Sequence, residues 1–73
     1  MVKVYKIEDL DCAHCAAKIE EAIRKIDGVT SATVSFLAQK MTVDADQAKL
    51  AAIEKEILAV CKRIEPDCTV HIG

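Results

Sequence analysis

Asp11-Cys12-Ala13-His14-Cys15-Ala16-Ala17-Lys18-Ile19-Glu20-Glu21-Ala22-Ile23-Arg24-Lys25-Ile26-Asp27-Gly28 is the stretch that decides the fold. From Cys15 the apolar positions recur at Ile19, Ala22, Ile23 and Ile26, with Lys18, Glu20, Glu21 and Arg24 on the other side. That spacing follows the helical period and leaves one face wet. Gly28, following Lys25 and Asp27, is a helix stop. Upstream, Val2-Lys3-Val4-Tyr5-Lys6-Ile7-Glu8 alternates loosely and is rich in β-formers, which predicts a strand. Two thiols three positions apart therefore stand in a strand-to-helix loop, with Leu10 as the apolar residue holding that loop to the core.

Downstream, Val29 to Phe36 alternates, with Ala32, Val34 and Phe36 on one face and Thr33 and Ser35 on the other. A turn near Ala38-Gln39-Lys40 leads into Met41-Thr42-Val43, completing a hairpin. Asp44 or Asp46 offers an N-cap for a second helix, whose buried stripe is Leu50, Ile53, Ile57, Val60 and Ile64. Pro66 closes that helix, and Cys68-Thr69-Val70-His71-Ile72 alternates as a last strand. The order βαββαβ suits an α+β, ferredoxin-like sandwich with an antiparallel four-stranded sheet and both helices on one face. Residues 1–73 are expected to form a single domain, as no linker, repeat or low-complexity segment interrupts them. In such a fold the thiol loop, the hairpin turn and residues 64–68 share one end.

A chain of 73 residues has room for one small core, and with Tyr5 and Phe36 its only aromatics that core must come from Val, Ile, Leu and Ala. At this size only about 60% of the unfolded surface is buried, so a ligand would add usefully to stability. The 10 basic and 12 acidic side chains are interspersed, which argues against nucleic acid as a partner, because phosphate binding needs clustered Lys and Arg. No apolar run reaches the roughly 20 residues that span a bilayer, and no signal-peptide pattern opens the chain. The expectation is a cytoplasmic domain with reduced cysteines; a secreted disulfide scaffold is the competing reading of four cysteines in a short chain.

Thiolates bind soft and borderline ions such as Cu(I) and Zn(II), whereas Mg(II) prefers oxygen. A thiol at a helix start has its thiolate stabilised by the helix dipole and free amides. Cys12 and Cys15 are therefore the expected metal ligands.

Leu10 to Glu20, followed by Gly28-Val29 and the two later strands, resembles a heavy-metal-associated domain over essentially the whole chain. The thiol pair at the helix start and the Gly-Val after it carry the resemblance. Asp11, before the first Cys, is similar to the pattern in N-terminal domains of Zn/Cd/Pb-transporting P-type ATPases, whereas copper proteins of the family usually carry Thr or Ser there. Asp9-Leu10 departs from the common Gly-Met: Leu can replace the Met anchor, but Asp9 must accept a backbone turn that Gly would take easily.

The resemblance implies a domain that captures Zn(II), Cd(II) or Pb(II) and delivers it to, or regulates, a transmembrane ATPase core on the same or a separate chain. It is not itself an enzyme. Chemistry supports Asp11 as a third ligand: Zn(II) and Cd(II) want about four donors, and added negative charge favours a divalent ion. Two sulfurs alone suffice for near-linear Cu(I), so a free-standing copper or mercury chaperone is the alternative. Lys62 and Arg63 would neutralise an anionic Cu(I)-dithiolate, although cations in a last helical turn also simply complement the dipole. Supplementary ligands are sought at Cys61, Cys68, Glu65, Asp67 and His14, with buried Cys as the plain reading for the first two. A thiol–disulfide oxidoreductase is a further alternative for the Cys-x-x-Cys pair. The domain is expected to be monomeric, with a metal-bridged dimer conceivable at high concentration.

Overall fold

The chain's computed structural model describes residues 1–72. β1 (Val2–Glu8) buries Tyr5 and Ile7, with half-buried Lys3 on the same face, and Val2 and Val4 face out. β2 (Val29–Ser35) and β3 (Lys40–Ala45) form the predicted hairpin, and β4 is the short Thr69–His71. The sheet order is β2-β3-β1-β4, and each neighbouring pair is antiparallel. Tyr5 pairs with Met41 and Ile7 with Val70, so the buried residues of three strands line up on one side of the sheet. With both helices against that side, the fold is the ferredoxin-like sandwich.

Helix α1 (Ala13–Arg24) buries Ala16, Ile19 and Ile23, and helix α2 (Leu50–Ile64) buries Ile53, Ile57, Val60 and Cys61. Together with Leu10, Ala32, Val43, Ala45 and Met41 these make one aliphatic core. Burying each of the larger side chains contributes about 1.5–3 kcal/mol. Gly28 has φ +95°, and a Cβ there would lie 3.0 Å from Lys49 Cδ and 3.1 Å from Ile53 Cδ1. The glycine thus both turns the chain out of α1 and lets α2 close over it.

Several boundaries differ from the sequence reading. Of the two thiols placed in the strand-to-helix loop, only Cys12 lies outside α1, as its cap; the helix starts at Ala13 and Cys15 is in its first turn. Asp46 is a cap, but of a short 3-10 turn, Gln47–Lys49, its Oδ1 accepting from Ala48 N–H at 3.0 Å. Asp44 lies within β3. Leu50 and Ile64 at the ends of the α2 stripe are only half-buried, while Cys61, placed at its border from sequence, belongs fully to the core. Cys68 and Ile72 flank β4 instead of belonging to it, and Cys68 packs against the core.

Candidate metal centre

Cys12 is extended (φ −127°, ψ 112°), which lets its Sγ fold back over the first turn of α1 and accept from Cys15 N–H at 3.2 Å. Its carbonyl takes the first helical bond, from Ala16 N–H at 3.0 Å. Cys15 is one turn on, so both sulfurs hang over the same free helix end, and both are half-exposed. The two thiols divide one charge unequally. Hydrogen bonds from the Cys15 thiol, then from the Cys15 and His14 amides, hold the Cys12 thiol below the ordinary value. The Cys15 thiol is pushed up to about 11, first by its hydrogen bond to Cys12, then by partial burial and the neighbouring Cys12 charge. In the metal-free site Cys12 is thus the more readily ionised thiol and Cys15 the one that holds its proton, which a thiophilic cation would displace.

The loop carrying the pair is held by residues far away in the chain. Leu10 is buried, and Asp9 before it has φ +63°, the turn a glycine would have taken freely. Leu10 N–H donates to Gln39 Oε1 at 3.0 Å, and Gln39 Nε2 donates to the Leu10 carbonyl and, at 2.7 Å, to that of Phe36. The Gln39 carbonyl accepts from Ile7 N–H at 2.9 Å. Gln39, at φ +54° in the β2–β3 turn, is therefore a clamp on the thiol loop. The sequence offered no signal for it beyond its place in a turn, because a polar turn residue is ordinary.

The remaining candidates divide by position. Glu65, just after α2, lies near enough to the thiol pair to disfavour charge on both sulfurs, and it helps push the Cys15 thiol up. Asp11 is exposed immediately before the cap, and His14 is exposed in the first turn. Asp67 is exposed and binds Glu65 through its backbone, N–H to Oε1 at 3.4 Å. Lys62 and Arg63 are exposed in the last turn of α2. Cys61 is buried and Cys68 half-buried, beside each other and both reduced. Among the described residues no three His, Cys, Asp or Glu side chains are already gathered as a cage. What is preformed is a two-sulfur platform with acidic side chains around it, open to an incoming ligand.

The family description "Heavy-metal-associated domain" matches residues 4–63. The chain is 35% identical over 67 residues to the cadmium, zinc and cobalt-transporting ATPase of Bacillus subtilis, covering 92% of this chain and 10% of that one. It thus spans about a tenth of the length of that relative. A copper chaperone of Staphylococcus aureus, CopZ, is 37% identical over 49 residues, 67% of this chain and 72% of the chaperone. The solution structure of the N-terminal domain of ZntA in its Zn(II) form superposes with a TM-score of 0.72 at 28% identity, over 96% of this chain and 88% of that one.

Proposed function

Because this chain belongs to the heavy-metal-associated domain family, we propose that it captures Zn(II), Cd(II) or Pb(II) at Cys12 and Cys15 and delivers the ion to, or regulates, a metal-transporting P-type ATPase at the cytosolic face of a membrane. No helix among the described residues is long and apolar enough to cross a membrane, so the pumping core would lie outside them. The observation carrying this reading is the half-exposed sulfur pair at the free end of α1, with Glu65 beside it and Asp11 adjoining it. Release needs no catalysis: a donor on the partner attacks the open side of the ion before the first sulfur leaves.

Acidic surroundings favour a divalent cargo, because two thiolates and a carboxylate overcompensate Cu(I) and suit an ion that wants further oxygen donors. Asp11 is assigned the third-ligand role, with Glu65 the next carboxylate in reach. The second reading, a free-standing copper chaperone, is favoured by the similarity to the S. aureus chaperone. Competition titrations separate the two. Asp11→Ala is expected to weaken Zn(II) binding about tenfold, ~1.4 kcal/mol, and to leave Cu(I) affinity nearly unchanged. Zinc affinity that does not respond to the substitution would remove Asp11 from the site. Cu(I) held far more tightly than Zn(II) against matched chelators would establish the copper reading instead.

A further inference from the structure

The C-terminal end of α2 carries a second pair of thiols that the first site does not use. Glu65 N–H donates to the Cys61 carbonyl at 2.8 Å, and Cys68 N–H donates to the Glu65 carbonyl at 3.2 Å. These two bonds fold the chain back on itself, and both cysteines line one surface pocket of about 240 Å³. Leu58, Pro66 and Val70 supply its apolar lining, and Lys62 and Thr69 are its polar members. Each thiol acts on the charge of the other, and no disulfide joins them. Cys61 is 3% exposed, and Cys68 is the half-buried member through which a solute would enter.

We propose that Cys61 and Cys68 form a second metal site, specific for a soft ion of low coordination number such as Cu(I). Its donors are two sulfurs: no His, Asp or Glu lines the pocket, although Glu65 and Asp67 lie near enough to disfavour charge on Cys68. The lining offers no carboxylate or imidazole to complete the four-coordination that Zn(II) prefers. Two thiolates satisfy Cu(I) alone, and soft sulfur selects it. On loading, two S–H bonds break, two S–Cu bonds form and two protons leave to solvent, with no change of oxidation state. The resulting dithiolate complex carries one negative charge, and Lys62 on the pocket wall is the cation set against it and against the nearby Glu65 and Asp67. The chain would thus hold a divalent ion at the exposed pair and a monovalent one at the enclosed pair.

The test uses the full chain, reduced and free of oxygen, with the Cu(I)–bicinchoninate complex as the competing chromophore. Cys12→Ser/Cys15→Ser is expected to withdraw one equivalent of Cu(I), and adding Cys68→Ala is expected to abolish that withdrawal. A folded Cys12→Ser/Cys15→Ser chain that takes no Cu(I) overturns the proposal. As a second measure that spares the first site, the unsubstituted chain is expected to bind two equivalents of Cu(I) and Cys68→Ala one, with Zn(II) stoichiometry unchanged at one. One equivalent of Cu(I) in both chains overturns the second site and leaves the first untouched. Loss of Zn(II) binding from the unsubstituted chain would instead contradict the proposed function.

Discussion

Cys12 and Cys15 are chemically alike in the sequence and unlike in the fold. Cys12, as the cap, collects the amide and thiol donors of the first turn, whereas Cys15 donates and stays protonated. The asymmetry is readable as reactivity, because the thiolate is the nucleophile. In the metal-free chain at neutral pH, iodoacetamide is expected to label Cys12 several-fold faster than Cys15, with Cys61, buried and pushed up to about 12, labelled last. As pH rises toward 11 Cys15 ionises too, and its disadvantage should close. Peptide mapping by mass spectrometry at a series of pH values reads this directly. Equal labelling of Cys12 and Cys15 at pH 7 would contradict the unequal ionisation of the two thiols. Asp9 belongs to the same scale: a non-glycine residue at φ +63° carries a local strain of about 1–3 kcal/mol, tolerated because Leu10 beside it is locked into the core.

Between elements, the β2–β3 turn governs the β1–α1 loop. Gln39 satisfies both backbone groups of Leu10 and ties its own carbonyl to Ile7, so it sets where α1 begins relative to the sheet. Gln39→Ala leaves the half-buried backbone of Leu10 without its side-chain partners, at a cost of about 1–3 kcal/mol in stability. The slackened loop should also release metal faster. Denaturant unfolding gives the first quantity and a stopped-flow chelator chase the second. If neither changes, Gln39 is not a clamp. The helix starts follow the same logic of local donors: a thiol caps α1, and Asp46 caps the 3-10 turn that delivers the chain into α2. Placing both thiols in the loop left Cys15 outside α1 because periodicity marks the buried stripe, whereas a cap marks the end, and sulfur is an uncommon capping acceptor.

At the scale of the molecule, one small aliphatic core is supplemented by a polar strut, in which Tyr5 Oη donates to Glu54 Oε2 at 2.7 Å and Lys3 Nζ reaches the same oxygen at 3.1 Å. This joins β1 to α2. A core so limited leaves room for cargo to stabilise the fold, since an ion that binds only the folded chain contributes about 2.7 kcal/mol at a free concentration of 100 Kd. Thermal unfolding with excess Zn(II) should therefore shift upward by about 4–8 °C for each kcal/mol gained. A midpoint indifferent to zinc would mean that the ion does not favour the folded state. The elements, their order, the hairpin and the α1 thiol pair were legible in the sequence, because each is written in residues within a few positions of one another, whereas the turn at Asp9 was implied by the family resemblance. The β2-β3-β1-β4 order was also within reach, as few topologies accept βαββαβ. The topology also placed the hairpin turn and residues 64–68 at the thiol end; only the tertiary structure turned the Gln39 side chain onto Leu10 across 29 residues, brought Glu65 near Cys15, and set Cys61 and Cys68 on one pocket. Local periodicity says which face of an element is buried; what that face and its flanking loops meet depends on how the helices lie across the sheet, and no short-range pattern carries that information.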